Sequence, residues 1–155
     1  MRISIVHKRT SYKRLDRDYP GWTIIDVTSQ GAMPWRKLSP FYPHGDIPVP
    51  MSPGFFSASV EGIWQGLKVF ETADIDVSKF RISNMKGLKR TTRKCGRCLG
   101  HRAGVSGNEL VGYIEARYRL FYQSYRWVLA HKVTKEVRAL RDIARTRGLV
   151  LLDYD

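Results

Sequence analysis

The placement of proline constrains this chain more than any other feature. Six of its seven prolines lie between positions 33 and 54, in the stretch MPWRKLSPFYPHGDIPVPMSPG. Because proline fixes φ and lacks a backbone donor, we expect an extended, proline-rich loop region and neither a helix nor a central strand. The aromatic residues Trp35, Phe41 and Tyr42 predict a loop that packs. Two interpretations stand equal: an ordered functional loop, or an arm that covers the surface.

Short strands are predicted near both ends of the chain. The runs ISIV (3–6) and TIIDV (23–27) are rich in β-branched residues and are bounded by turn formers. The final stretch LVLLDYD (149–155) has the pattern of a buried strand.

Helices are predicted from position 59 onward. Residues 59–70 begin with Ser59, an acceptable N-cap, and their apolar positions recur at helical spacing. A second amphipathic piece is expected at 77–85 and a long helix at about 109–133. A last helix is expected to be capped by Thr134 and stopped at Gly148. The long helix would bury Leu110, Ile114, Phe121, Tyr125 and Val128.

The predicted fold class is α+β. With 155 residues and 43% hydrophobic content, we expect a single, mostly helical domain over 1–155 with a few short strands. Since no apolar run approaches the roughly 20 residues that span a bilayer, no membrane contact is expected. The N-terminal apolar stretch is too short for a secretory signal, so the sequence predicts a cytoplasmic protein.

Positive charge is concentrated in one segment. The chain carries a net charge of +13, and residues 77–108 contain no acidic residue. Nine basic residues lie there: Lys79, Arg81, Lys86, Lys89, Arg90, Arg93, Lys94, Arg97 and Arg102. A solvated face usually mixes its signs, so this basic segment favours attraction of phosphate groups over simple solvation.

The two cysteines predict no metal site. Cys95 and Cys98 form C-G-R-C, with His101 three residues further on. Zinc would need a fourth ligand, and the other histidines show no ligand spacing. Two ordinary reduced cysteines are the favoured interpretation, with metal binding as the minor alternative, and no cofactor is expected.

A line of polar residues runs along the first predicted helix. Glu61, Gln65 and Lys68 are spaced four and then three residues apart and flank its apolar face. Such a stripe lies at the edge of a core, where groups are partly desolvated. Periodicity alone favours a structural stripe over a catalytic one.

The order of these motifs resembles the NADAR superfamily. Members have a Ser-Asn/Pro-Phe start, here Ser39 to Phe41, followed by a helix with glutamate, glutamine and lysine at the intervals found here. The later basic stretch, with Lys86 to Arg90 and then Gly96-Arg97, is similar to the family's basic helix. The resemblance covers about 38–155, and the extension 1–37 has no counterpart. Gly62 stands where the family often has a bulkier residue, which predicts a looser pocket wall.

The resemblance implies hydrolysis of an N-glycosidic bond to a ribose phosphate or ADP-ribose. Glu61 would be the catalytic carboxylate, with Asp153 or Asp155 as a second acid. Gln65 would orient Glu61 or a sugar hydroxyl. Phosphate contacts would come from Lys68, Arg90 and Arg93, and base stacking from Trp64, Tyr42 or Trp127.

The implied partner is a phosphate-bearing small molecule or an ADP-ribosylated substrate, and the oligomeric state stays open. A second class of function remains. The chain could be a non-catalytic protein that binds nucleic acid or ADP-ribose through the basic residues at 79–102.

Overall fold

A computed structural model describes residues 1–154. Helices account for 38% of the chain, so the α+β class is confirmed, with less helix than a mostly helical chain would have. The elements in order are β1 (Ile3–His7), α1 (Tyr12–Asp18), β2 (Thr23–Asp26), a 3₁₀ turn (Trp35–Leu38), β3 (Ile47–Pro48), β4 (Phe56–Ser57), α2 (Val60–Gly66), β5 (Lys68–Phe70), a second 3₁₀ turn (Val77–Arg81), α3 (Thr92–Cys95), β6 (Cys98–Arg102), β7 (Leu110–Val111), α4 (Tyr113–Ala116), a π turn (Arg117–Phe121), α5 (Tyr122–His131), α6 (Thr134–Thr146) and β8 (Leu149–Asp153).

The chain forms two compact units, and the first comprises Met1–Ser39 with Val133–Asp155. Its three-stranded sheet has the order β1-β8-β2, with β8 parallel to both neighbours. Leu15 of α1 packs against Val150 and Leu152 of β8. The strands predicted at 3–6, at 23–27 and near the end of the chain are confirmed.

The second unit, Pro40–Lys132, contains the antiparallel pair β3-β4 and the antiparallel sheet β5-β6-β7. In the larger sheet Lys68 of β5 lies opposite His101 of β6, and His101 lies opposite Val111 of β7. Residues directly opposite each other in such a sheet have side chains on the same face. The pairing therefore brings Lys68 and His101 together.

The first predicted helix is shorter than the pattern indicates. Helix α2 ends at Gly66, and Lys68 begins strand β5. Glycine weakens the helix end, and the β-favouring residues Val69 and Phe70 pair with β6 instead. Five apolar residues of the segment 59–70 are nevertheless buried: Val60, Ile63, Trp64, Leu67 and Phe70.

Two glycines bring α2 close to the second 3₁₀ turn. A Cβ at Gly66 would lie 2.4 Å from Phe80 Cε1, and a Cβ at Gly62 would lie 2.8 Å from the Lys79 carbonyl oxygen. The Ser59 hydroxyl accepts a hydrogen bond from the Gly62 N–H at 3.0 Å, which confirms the predicted N-cap. The expectation of a looser wall at Gly62 is wrong, because backbone already fills that space.

The long helix begins later than predicted and changes its winding. It runs from Tyr113 to His131 with a π turn inside it, while Leu110 belongs to β7. A π turn inserts one extra residue, so apolar stripes before and after it do not align. Phe121 and Val128 are buried as predicted, whereas Ile114 is 68% exposed. The buried face also carries Ala116, Leu120 and Ser124.

The last helix, α6, includes Thr134 as its first residue, so Thr134 is not its N-cap as predicted. Its N-cap is Val133, which makes no side-chain capping bond. Gly148 follows the helix with φ of 89°, as a helix stop requires. Among residues 1–154, no helix is long and apolar enough to cross a membrane.

We predict that Gly66→Ala destabilises the chain by about 1–3 kcal/mol through overpacking, although alanine favours helix more than glycine does. The measurement is chemical denaturation of a double-mutant cycle with Phe80→Leu, which removes the Cε1 atom. Because that atom causes the closest clash, the double variant should lose less stability than the sum of the single variants. Strict additivity would contradict the proposed close packing.

Candidate functional site

Glu61 is a buried carboxylate held by a chain of hydrogen bonds. Its residue is 7% exposed, and its Oε1 atom accepts a hydrogen bond from Gln65 Nε2 at 2.7 Å. Gln65 Oε1 in turn accepts from the Arg90 backbone N–H at 3.0 Å. The Glu61 N–H donates to the Pro40 carbonyl at 2.9 Å, which joins the start of α2 to the predicted SPF motif. Both ends of the Gln65 amide are therefore committed, and the carboxylate is fixed.

Three cations act on this carboxylate. Burial raises the pKa of Glu61 above its ordinary value, while the Gln65 hydrogen bond and the charges of Lys68, Lys89 and Arg117 act in the opposite direction. Burial also lowers the pKa of Lys68, with Glu61 opposing that shift. The result is a desolvated acid within reach of three positive groups that come from separate parts of the second unit.

Arg90 positions the site and does not present a free guanidinium. Its Nη1 donates to the Lys68 carbonyl at 2.7 Å, and its Nη2 donates to the Asp74 carbonyl at 2.6 Å. The guanidinium also lies 4.9 Å from the centre of the Phe70 ring. We therefore correct its predicted role as a phosphate ligand, because its side chain ties β5 to neighbouring backbone. Arg93 is an exposed residue of α3.

Arg117 was missed by sequence reasoning. It opens the π turn, and its guanidinium lies 4.2 Å from the Phe121 ring centre, 5.4 Å from that of Tyr122 and 5.8 Å from that of Trp64. π turns are frequent at functional sites, but no residue pattern in this segment signals one. Arg117 lies outside the basic segment at 77–108, so the charge pattern of the sequence did not single it out.

A cavity of about 340 Å³ lies beside this cluster. Its lining comprises Trp64, Lys68, Cys98, Leu99, Gly100, His101 and Tyr113. Glu61 does not line it, but Lys68 does, and Trp64 lies one turn beyond Glu61 on α2. The Lys68 Nζ atom is 6.0 Å from the centre of the Trp64 ring. Of the predicted site residues, Glu61, Gln65, Lys68 and Trp64 come together here.

His101 is the second residue that sequence reasoning missed. It was considered only as a zinc ligand, whereas the structure buries it to 2% exposure with its ring 3.8 Å from that of Trp64. Neither ring nitrogen makes a hydrogen bond of good geometry, while a weaker interaction with the Trp64 backbone acts to raise the pKa. Burial, with a smaller effect of Lys68, lowers the pKa of His101 to about 4. The imidazole is thus neutral at pH 7, with one donor and one acceptor nitrogen.

Residues 7–155 match the model of DUF6939, a family of unknown function. The chain belongs to DUF6939. Comparison with curated proteins and with solved structures gave no significant match. The matched range includes α2 and every residue that lines the cavity of this DUF6939 chain.

The remaining predicted residues of the DUF6939 chain do not line this cavity. Tyr42 is half-buried, with its ring 4.8 Å from that of His44, and Trp127 stacks on His131 at 4.5 Å. Asp153 belongs to the first unit, where its carboxylate accepts a hydrogen bond from the Tyr154 N–H at 2.8 Å. Asp155 lies outside the described residues. A catalytic role for Asp153 stays a prediction.

The cysteines are both free and half-buried. Within residues 1–154, no group of three or more His, Cys, Asp or Glu side chains could hold a metal ion. Cys98 is relevant for another reason, since it lines the cavity with Lys68 and His101.

We predict that His101 makes this DUF6939 chain sensitive to mild acid. Its pKa is about 6.5 unfolded and about 4 folded, so between these values the unfolded chain binds the extra proton. The stability due to neutral His101 is present above pH 6.5 and is lost as pH falls to 4, by about 3 kcal/mol over that window. Chemical denaturation at pH 7 and pH 5 should show a smaller loss in His101→Phe than in wild type. Parallel pH profiles would contradict this assignment.

Proposed function

We propose that the chain is an N-glycosidase-like hydrolase, related to the NADAR superfamily, that cleaves a ribosyl C–N bond in a nucleotide-like or ADP-ribosylated substrate. The observation that carries the proposal is the buried Glu61 carboxylate, fixed by Gln65 and set among Lys68, Lys89 and Arg117. A desolvated carboxylate with a raised pKa suits general acid–base work near neutral pH.

The proposed reaction assigns two tasks to Glu61. The bond from C1′ to the base nitrogen breaks, its electron pair goes to the base, and positive charge builds on the ribose. The negative carboxylate stabilises that charge in a site of low polarity. Water then bonds to C1′, and its proton passes to Glu61 and on to the departing base nitrogen. Gln65 keeps the carboxylate aimed throughout.

The cations would hold the substrate phosphates. Lys68 lines the cavity, and Lys89 lies over the Phe41 ring, with its Nζ 5.8 Å from the ring centre. Within residues 1–154 Arg117 forms no salt bridge, and its guanidinium stacks on aromatic rings, which leaves its donors for an anion. These three residues, with Arg93 at the exposed periphery, replace the phosphate role first predicted for Arg90.

The finer expectations from sequence belong to the same proposal. We place both compact units in one NADAR-like domain, with Asp153 as the second acid and the enzyme in the cytoplasm. The two unpaired cysteines support a reducing compartment.

We predict that Glu61→Gln lowers cleavage by about 10²- to 10⁴-fold, the range for loss of a general acid–base group. The measurement is mass-spectrometric detection of released base or sugar phosphate from riboflavin-pathway intermediates, ADP-ribosylated guanosine and ADP-ribosylated DNA. Glu115→Gln is the matched control, because Glu115 is exposed and its partner Arg119 also pairs with Glu109. The control should keep full activity.

Loss of activity in Glu61→Gln is separable from loss of fold. Since the folded chain holds the Glu61 proton more tightly than the unfolded chain, ionised Glu61 destabilises the fold as pH rises above 4.5. The variant should therefore be at least as stable as wild type at pH 7. Equal turnover by wild type and variant would contradict the assignment of Glu61.

A second candidate function is binding of single-stranded nucleic acid. Tyr118 and Tyr122 are exposed, with rings 5.3 Å apart, and could stack on bases. If no substrate is cleaved, this function is favoured by salt-dependent binding of single-stranded DNA that disappears when exposed cations are neutralised. The set to change is Arg81, Lys86, Arg93 and Lys94, without Arg90, whose guanidinium is structural.

A further inference from the structure

Helix α6 of the first unit has one apolar side and one basic side. On the apolar side, Leu140 and Ile143 pack against the buried cluster of Ile25, Ala144 and Leu149. The opposite side is exposed and entirely polar, and it comprises Thr134, Lys135, Arg138, Arg141, Asp142, Arg145 and Thr146. The exposed side therefore carries four cations and one acid, a concentration of positive charge outside the basic segment at 77–108.

Three of these cations, Arg138, Arg141 and Arg145, form a line along the helix that we call the arginine stripe. With about 3.6 residues per turn and about 1.5 Å of rise per residue, they lie on one side of α6 over about 10 Å. Arg2 adds a cation near the end of the stripe, since its backbone N–H donates to the Ala144 carbonyl at 3.0 Å and its side chain is exposed.

The charge of the arginine stripe is poorly compensated within the chain. Within residues 1–154, Arg138 and Arg141 form no salt bridge, and Arg145 approaches Asp142 only to 4.0 Å, between side chains that are 68% and 66% exposed. Such an exposed pair contributes little to stability. Like charges three or four positions apart on a helix repel each other, whereas a solvated helix face usually alternates its signs. The stripe therefore favours an anionic partner over simple solvation.

We propose that the arginine stripe is a binding surface for the phosphate backbone of double-stranded nucleic acid. Guanidinium groups bind phosphate oxygens through two parallel hydrogen bonds, which makes arginine well suited to this contact. The exposed side of α6 has no aromatic residue that could stack on unpaired bases, which favours a duplex over a single strand. It also has no large apolar side chain that could insert into a lipid surface, which disfavours a membrane.

This surface is separate from the candidate site. Helix α6 belongs to the first unit, whereas Glu61 and the cations that act on it belong to the second. Duplex binding therefore does not depend on the proposed cleavage, and Glu61→Gln should bind a duplex as wild type does. Because phosphate contacts carry no sequence information, duplexes of different sequence should bind alike.

The test is fluorescence anisotropy of the full chain with a labelled DNA duplex at salt concentrations from about 50 to 200 mM. The stripe variant combines Arg138→Gln, Arg141→Gln and Arg145→Gln, and glutamine keeps a helix propensity close to that of arginine. The variant should bind the duplex about tenfold or more weakly than wild type. Its plot of log affinity against log salt should be shallower by about 2 to 3, since each lost phosphate contact removes about one unit of slope.

The matched control combines Arg81→Gln, Arg93→Gln and Lys94→Gln, which removes the same number of charges from exposed positions of the second unit. This control should keep most of the duplex affinity. Circular dichroism and chemical denaturation should show that the stripe variant is folded and at least as stable as wild type at low salt, because like-charge repulsion has been removed.

Equal weakening in the two triple variants would overturn the proposed surface, because net charge alone would then account for binding. Unchanged duplex binding in the stripe variant would overturn it as well. Single-stranded DNA and vesicles that contain phosphatidylserine test the choice of partner. If the stripe variant loses more affinity for either of these than for the duplex, the assignment to double-stranded nucleic acid is wrong.

Discussion

The site depends on one hydrogen-bond relay, which runs from the Arg90 backbone through Gln65 to Glu61. The relay is fixed because each end of the Gln65 amide makes one hydrogen bond, its nitrogen to Glu61 and its oxygen to the Arg90 N–H. Gln65 and Glu61 lie one turn apart on α2, while the Arg90 guanidinium fastens the basic segment to the carbonyls of Lys68 and Asp74. If the basic segment were not held there, the buried Gln65 oxygen would lose the hydrogen bond that it accepts from the Arg90 N–H, and a buried acceptor without a partner costs free energy. A residue first taken for a ligand contact thus holds the acid in place.

Much of the secondary structure within each compact unit follows from residue patterns that are local in the sequence. The apolar face of α2, its Ser59 cap, strands β1, β2 and β8, and the neighbourhood of Glu61 and Gln65 all depend on residues close in sequence. Spacing and capping chemistry were therefore sufficient to predict them. The SPF motif is joined to the start of α2 by the hydrogen bond from the Glu61 N–H to the Pro40 carbonyl.

The residues that sequence could not place depend on long-range pairing or on a change of helix winding. Lys68 leaves the helix because β6 pairs with it, and the same pairing sets His101 opposite it. Arg117 reaches Trp64 because of the π turn. Neither register nor a π turn is encoded in an apolar repeat. The sequence pattern weighed His101 only as a zinc ligand beside Cys95 and Cys98 and favoured no metal site, whereas the fold buries it as a neutral wall of a cavity.

The most direct measurement of the central claim is the titration of Glu61 itself, by ¹³C NMR of glutamate side-chain carboxyls with the Glu61 signal assigned by its loss in Glu61→Gln. The account predicts a midpoint above the ordinary value of 4.5, because burial dominates. It also predicts a further rise in Lys89→Met, since that change removes one of the three cations. A midpoint at or below 4.5, insensitive to Lys89, would mean that Glu61 is a solvated carboxylate and that the candidate site is not an acid–base centre.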